Sequence, residues 1–248
     1  ELADTQKYPV CEPDTTDEFD TEKLMLQWQW NANYDDSWYE TKTDVYGNAS
    51  ENGSYIKLNA VPATPLRPVG DYRNLLLQKW PAPEFTCETK MSLYGLMDGD
   101  YAGIVSLGMD YAALGVAKKD GKYILRTIKG KQNFDCEAAY TDENVDEKVI
   151  DTAVFSDDTK TIYLKYTVKR TGVKQTKEMA LSVDNVPVEE AVLEISFDGK
   201  NYQDAVSYTA KAGRWVGVKN GMFVSHNNTV KNDKNGYVTV DYIRYSNI

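Results

Sequence analysis

Short alternating segments separated by turn dipeptides constrain this chain more than any other feature of its sequence. In TIYLKYTVK (161–169), every second residue from Ile162 to Val168 is apolar or aromatic, and the residues between them are mostly polar. Such a period of two is typical of a strand with one buried and one solvated face. Turn dipeptides of the Asp-Gly and Asn-Gly kind, which favour hairpins, occur at 98–99, 120–121, 198–199 and 235–236.

The same pattern recurs along most of the chain. It predicts strands at 24–30, 54–60, 74–80, 85–93, 101–108, 112–119, 122–129, 161–170, 191–198, 214–224 and 236–245. No helix-length segment shows a period of 3.6 residues. The sequence therefore predicts an all-β fold of two packed antiparallel sheets, a jelly-roll sandwich. The polar stretches 137–160 and 170–190 are expected to be long loops or irregular edge strands.

The length of 248 residues fits one large sandwich, which we place at 17–248. Residues 1–16 lack a hydrophobic period and contain two prolines, so we expect a linker or a surface strap there. A linker at this position suggests that another domain precedes the sandwich in a longer gene product.

Charge and cysteine content exclude several classes of function. The formal net charge is −10, which argues against nucleic acid and anionic membranes as partners. No apolar run approaches the ~20 residues that span a bilayer. The cysteines Cys11, Cys87 and Cys136 are odd in number and have no zinc-site spacing, so we expect inert thiols.

An aromatic cluster in QWQWNANYDDSWYE (27–40) is the first candidate site. Sugars present apolar C–H faces and hydroxyl rims, which suit flat aromatic rings beside amide side chains. The pattern predicts a carbohydrate-binding platform made by Gln29, Asn31, Tyr34 and Trp38. The alternative is that the tryptophans of the QWQW run fill the space between the sheets.

Acidic residues at the two ends of the sandwich form the second candidate site. If the first and last strands lie side by side, Asp17, Glu18 and Asp241 can converge on one structural Ca²⁺ ion, which prefers oxygen ligands. The alternative is that Asp241 pairs within the protein, most simply with Arg244.

A catalytic interpretation rests on a literal ExDxE formed by Glu18, Asp20 and Glu22. Alternate carboxylates on one strand serve retaining glycanases as nucleophile and acid. Here the motif lies at the mouth of the domain, directly after the linker, and not on a mid-chain strand with apolar neighbours. The only histidine, His226, has no serine-hydrolase or cysteine-protease context. We expect no catalytic residue in this chain.

Several runs together indicate a family. LMLQWQWNANYDDSWYE, RNLLLQKWPAPEFTCETKM, GDYAGIVSLGMDYAALGVAKKDG and GRWVGVKNGMF, followed by GYVTVDYIRY, occur in this order. The series resembles the C-terminal concanavalin A-like sandwich of family 43 glycoside hydrolases, the β-xylosidase/α-L-arabinofuranosidase group. The resemblance covers residues 17–130 and 194–246.

The resemblance implies an accessory domain for hemicellulose breakdown. In such enzymes the catalytic carboxylates belong to a preceding five-bladed propeller, so no catalytic residue is carried over to this chain. It also implies a secreted or periplasmic parent enzyme, with its own propeller as the partner of this domain. It raises the expectation of calcium too, because sandwiches of the concanavalin-like class often hold such an ion. An autonomous carbohydrate-binding module for xylan or arabinoxylan oligosaccharides is the alternative.

Overall fold

The computed structural model describes residues 15–42, 53–63, 68–132, 145–156, 158–176, 183–211, 217–234 and 236–248. Residues 1–14 of the expected linker lie outside these ranges, as do Cys11 and Cys136. Within them, the chain forms β1 (Gln29–Trp30), β2 (Tyr39–Lys42), β3 (Tyr55–Asn59), β4 (Val61–Ala63), β5 (Leu75–Lys79), β6 (Phe85–Ser92), β7 (Asp100–Leu107), β8 (Asp110–Lys119), β9 (Lys122–Gln132), β10 (Val145–Phe155), β11 (Thr161–Thr176), β12 (Val183–Ser196), β13 (Gln203–Thr209), β14 (Lys219–Asn227) and β15 (Tyr237–Ser246).

These strands form two sheets. The larger has the order β1-β5-β14-β7-β8-β9-β10, with the short β4 beside β14, and the smaller has the order β13-β12-β11-β6-β15-β3-β2. All neighbours run antiparallel except β4 and β14. The described residues contain only two short 3-10 turns besides the strands, Asp36–Trp38 and Val69–Asp71. The predicted all-β, two-sheet sandwich is therefore confirmed.

The core between the sheets follows from the alternation in the sequence. On β11, Ile162, Leu164, Tyr166 and Val168 are buried against the facing sheet, where Ile104, Leu114 and Met222 belong to the same cluster. Burial of apolar area from both inner faces is the main stabilising term for such a sandwich. The Tyr166 hydroxyl lies 2.6 Å from the Val105 carbonyl and 2.8 Å from the Gly221 carbonyl, so it links the two sheets.

The larger sheet is also buried on its second face. Leu77, Tyr101, Val105 and Phe223 form a separate apolar cluster there, together with Val69 of the second 3-10 turn. Tyr101 and Phe223 pack edge to face with their ring centroids 4.7 Å apart. Strands that are buried on both faces have nearly continuous apolar sequences, which explains the LLL and YAGIVSL segments.

The hairpin predicted from the Asp-Gly dipeptide at 120–121 is confirmed. β8 and β9 pair up to Lys119 and Lys122, and the two residues between them, Asp120 and Gly121, have φ angles of 51° and 73°. A two-residue loop with positive φ at both positions is the type I′ turn, whose twist matches that of the strands.

The strand predicted at 24–30 is wrong over most of its length. Only Gln29 and Trp30 pair, with Leu77 and Leu76, while the Trp28 amide closes a turn on the Met25 carbonyl at 3.2 Å. The stretches expected as loops also contain regular structure. β10 is an exposed edge strand with an irregularity after Asp151, as the edge-strand alternative predicted, and β11 and β12 extend far into 170–190.

The two ends of the sandwich lie side by side. The Asp17 amide donates to the Ile243 carbonyl at 2.8 Å, and the Ile243 amide donates to the Asp17 carbonyl at 2.8 Å. The segment before β1 is therefore fixed to β15, which brings Asp17, Glu18 and Asp241 to one region. Nowhere in its described ranges does the chain form a helix with the length and apolar character needed to cross a membrane.

Candidate functional site

Four aromatic rings meet where the edge strands of the two sheets approach each other. Trp30 of β1 stacks on Tyr34 with 5.8 Å between ring centroids, and Trp38 packs edge-on against it at 5.9 Å. Tyr39, the first residue of β2, lies 5.5 Å from Trp30. We call this group the aromatic cluster. It is built around Trp30, and the NANYDDS segment supplies its outer members.

Hydrogen bonds fix the loop that carries these rings. Asp35 caps the 3-10 turn by accepting from the Ser37 amide at 2.9 Å and the Ser37 hydroxyl at 2.6 Å. The side-chain amide of Asn59 donates to the Ser37 carbonyl at 2.7 Å, and that of Asn74 donates to the Trp38 carbonyl at 3.2 Å. The ring positions are therefore set by the fold before any ligand binds.

The rings differ in what they expose. Tyr34 exposes 52% of its surface, whereas Trp30, Trp38 and Tyr39 are half-buried. Burial, with a smaller contribution from Tyr34, raises the pKa of Tyr39, so its hydroxyl stays protonated and can donate. Tyr34 is therefore the most accessible ring of the cluster, and Trp38 presents only part of its surface.

The amide residues of the predicted platform are tied to the fold. The Asn31 side chain donates to the Gly70 carbonyl at 2.8 Å, and half-buried Gln29 pairs with Leu77 in the sheet. Trp28 is buried in the inter-sheet core, as the alternative for the QWQW run predicted, and Trp30 packs against the edge of that core. Sugar binding by Gln29, Asn31, Tyr34 and Trp38 stays a prediction.

Each carboxylate of the predicted calcium site contacts a donor of the protein. Asp17 accepts from the Phe19 amide at 2.8 Å and from the Trp28 indole at 2.7 Å. Burial raises the pKa of Asp17, and these two hydrogen bonds offset part of that effect. Glu18 accepts from two nitrogens of Arg244 at 2.7 and 2.9 Å.

Asp241 pairs with Lys90, whose Nζ atom lies 2.8 Å from its Oδ2 atom, and both side chains are almost fully buried. The sequence analysis named Arg244 as the simplest partner of Asp241. In the structure, Arg244 instead donates two hydrogen bonds to Glu18. Lys90 gave no sequence signal, because it is an ordinary strand lysine until β6 and β15 pair. The pairing of β15 with β6 shifts register between Val240 and Tyr242, and Asp241 lies at this irregularity.

As arranged, these residues do not fit a calcium ion. Their oxygens face N–H donors and cations, and no group of three or more His, Cys, Asp or Glu side chains in the described part of the chain could hold a metal. The calcium expected from the sequence at Asp17, Glu18 and Asp241 is untested, and an ion could bind there only if these contacts opened.

The ExDxE residues do not alternate along a strand. Phe19, between Glu18 and Asp20, has a φ of 52°, a left-handed conformation that turns the chain, and Glu22 lies on the bend that follows. Asp20 and Glu22 are exposed, while Glu18 is held by Arg244. The three residues therefore lack the alternation along one strand on which the catalytic interpretation rests.

The two-sheet topology defines the chain as a concanavalin A-like β-sandwich. Residues 16–246 match the family model described as the β-xylosidase C-terminal concanavalin A-like domain, and the chain belongs to this family. The match also includes residues 131–193, which the resemblance found in the sequence did not cover. This region contains β10, β11 and most of β12.

Three similar proteins that carry glycosidase names are longer than this chain. A β-xylosidase of Formosa agariphila is 24% identical over 260 residues, which cover 96% of this chain and 36% of that protein. An engineered family 43 glycoside hydrolase with endo-xylanase and exo-arabinofuranosidase activity is 18% identical, with a TM-score of 0.71 over 99% of this chain and 42% of its own. A xylan β-1,4-xylosidase of Bacillus halodurans is 19% identical, with a TM-score of 0.61 over 98% and 41%. The chain thus spans about a third of the curated β-xylosidase.

Proposed function

We propose that this chain is the non-catalytic accessory sandwich of a hemicellulose-degrading glycoside hydrolase of the β-xylosidase/α-L-arabinofuranosidase type, and that it packs on a catalytic propeller. The extent of the family match carries the proposal. The match spans residues 16–246, yet the chain accounts for only 36% of the Formosa agariphila β-xylosidase. The rest of such an enzyme has room for the domain that performs the chemistry. Its polymeric substrate favours a secreted or periplasmic parent.

The contacts of the carboxylates support the non-catalytic part of the proposal. Glycosidases place two carboxyl groups across the scissile bond, ~5–5.5 Å apart in retaining and ~6.5–9.5 Å apart in inverting enzymes. Glu18 is engaged by Arg244, Asp20 is exposed, and Glu22 lies exposed on a bend. Hydrolysis by this chain would need two carboxyl groups that face one bond, and the contact with Arg244 holds Glu18 in a different role.

An activity assay of the chain alone tests this part. We expect no turnover of aryl β-xylosides or aryl α-L-arabinofuranosides at enzyme concentrations far above those used for complete glycosidases. Reproducible turnover that is lost in Glu18→Gln would overturn the proposal.

The partner is tested with the parent enzyme. Its catalytic propeller, produced without residues 17–248, is expected to have a lower Tm than the full-length enzyme and to co-elute with this chain when the two are mixed. A propeller that is equally stable alone and does not bind the chain would contradict the accessory role.

A second candidate function is an autonomous carbohydrate-binding module, which the aromatic cluster favours. Tyr34 is half exposed and stacked on Trp30, so one sugar ring could pack on its free face. A shallow platform of this size gains only a few kcal/mol beyond the cost of association, so we expect a Kd of about 10⁻⁴ M or weaker.

Affinity electrophoresis of the chain in xylan and arabinoxylan gels tests this second function. Retardation that is reduced by Tyr34→Ala and by Trp38→Ala would support it. Retardation that survives both substitutions would remove the aromatic cluster from consideration, and equal mobility with and without polysaccharide would contradict binding.

A further inference from the structure

A cleft lies at one end of the sandwich, where β8, β9 and β10 of the larger sheet face β13 of the smaller sheet. Its volume is about 560 Å³, which is within the range of small-molecule sites. Lysines, aspartates and Ile150 line the side of the larger sheet, and Tyr208 and Thr209 of β13 line the facing side. The cleft lies among strands that do not contribute to the aromatic cluster.

The charged residues of the cleft form two rows across the strands. In the first row, Lys131 lies in register with Asp110 on β8 and with Asp146 on β10. Residues directly opposite each other on neighbouring strands share a face and lie within contact distance. The positive charge of Lys131 is therefore flanked by two negative charges.

The second row lacks this compensation. Lys129 lies in register with Ala112 on β8 and with Lys148 on β10. Both lysines are exposed and line the cleft, and neither forms an ion pair with another residue in the described ranges. Like charges directly opposite each other destabilise a strand pair. An anion bound between the two ammonium groups would remove that repulsion and accept charge-assisted hydrogen bonds from both.

The other residues of the cleft suit more than a bare anion. Ile150, two residues from Lys148 on β10, adds exposed apolar surface, and Thr209 of β13 adds an exposed hydroxyl on the facing sheet. Tyr208 is only 7% exposed and donates to the Ser106 hydroxyl oxygen at 2.6 Å, so it forms a fixed floor of the cleft. An apolar side chain, a hydroxyl and two cations together match a sugar that carries a carboxylate.

We propose that this cleft binds a uronic acid residue, with Lys129 and Lys148 holding its carboxylate and Ile150 and Thr209 contacting its sugar ring. The choice of a sugar over another organic acid rests on the proposed function. The evidence for the cationic pair is the strand register and does not depend on that proposal. A chain with a net charge of −10 repels anions in general, so a local cationic pair gives selectivity.

Titrations of the chain with D-glucuronate, D-glucose and acetate, followed by NMR at low ionic strength, test the proposal. We expect glucuronate to bind at least about tenfold more tightly than either of the other two, because only glucuronate uses both the cations and the residues that contact the sugar ring. Added salt should weaken glucuronate binding, since the lysines are exposed.

Substitutions locate the site. Lys129→Met and Lys148→Met should each weaken glucuronate binding by about tenfold, the usual loss for a charge-assisted contact. Lys122→Met is the matched control, since Lys122 faces Lys119 at the other end of β9 and does not line the cleft. All three positions are exposed, and far-UV circular dichroism checks that each variant folds.

Three results would overturn the proposal. Equal binding of acetate and glucuronate would exclude a sugar site, and equal binding of glucose would exclude recognition of the carboxylate. An effect of Lys122→Met as large as that of Lys148→Met would place binding elsewhere. None of these results tests whether the chain packs on a propeller. That association is tested separately, by comparing the full-length enzyme with the propeller produced alone.

Discussion

The indole nitrogen of Trp28 donates a hydrogen bond to Asp17 Oδ2 at 2.7 Å, and both side chains are buried. Phe19 completes the contact, since its amide donates to Asp17 Oδ1 and its ring stacks on Trp28 with 5.9 Å between centroids. Asp17 also bridges to Ile243 through its backbone. Asp17 thus ties the segment before β1 to the core through its carboxylate and to β15 through its backbone.

Trp28→Phe should lower the free energy of unfolding by about 2–4 kcal/mol. The substitution removes the donor to a buried carboxylate and leaves a small cavity, and both effects destabilise the folded state. Urea denaturation followed by far-UV circular dichroism measures the loss. Tyr34→Phe, at an exposed ring, is the control and should change stability little. A Trp28→Phe variant as stable as this control would contradict the role of the hydrogen bond.

Lys90→Met should be among the most destabilising single changes in the chain, with a loss of about 3–5 kcal/mol. Removal of one partner leaves the other charge of a buried pair uncompensated. Lys57→Met is the matched control, because Lys57 and Glu40 lie at a similar distance, 2.9 Å, but are partly exposed. That pair should be worth less than about 1 kcal/mol. Equal losses in chemical denaturation of the two variants would show that burial of the Lys90–Asp241 pair does not matter.

We expect the Tm of this protein to be the same in a chelator and in millimolar calcium. The oxygens of Asp17, Glu18 and Asp241 face protein donors, and a cation would have to displace Lys90 and Arg244 to reach two of these carboxylates. An ion that binds only the folded state would raise the Tm. Thermal unfolding followed by calorimetry measures the Tm under both conditions. A Tm that rises with calcium in the wild type but not in Asp241→Asn would show that the ion binds at this site.

Asp198 should stabilise the turn after β12 at neutral pH and lose this effect in acid. Its carboxylate accepts from the Asn201 amide at 2.8 Å, the Asn201 side chain at 2.7 Å and the Lys200 amide at 2.8 Å. These contacts, with the Asn201 amide the largest cause, hold the pKa of Asp198 well below its ordinary value of 3.8. A pKa lowered by folding stabilises the folded state above the unfolded-state pKa, and the stabilisation declines as pH falls below it.

The variant Asp198→Ala should therefore have a lower Tm than the wild type at pH 7, and the difference should narrow as the pH falls below the ordinary aspartate range. Asp233→Ala, at an exposed bend, serves as the control for the loss of a surface carboxylate. A difference that stays constant down to strongly acidic pH would mean that the ionised carboxylate is not the stabilising form.

Local chemistry in the sequence was enough to predict the fold. Alternation in β11 and the Asp120-Gly121 turn are properties of neighbouring residues, because side chains alternate across a strand and a type I′ turn needs residues that tolerate positive φ. The strand predicted at 24–30 is wrong because an aromatic run can fill a core from a turn as well as from a strand. Trp28 does so without pairing to any strand.

Only the tertiary structure decided which polar groups meet. The sequence alone assigned Trp28 to the aromatic run and Asp17 to a metal site, and folding makes them partners of each other. Lys90 and Asp241, or Lys129 and Lys148, come together through strand register, and a shift of one residue would turn one member of each pair to the other face. Register is set by the packing of whole sheets, so no local pattern around these residues could have revealed it.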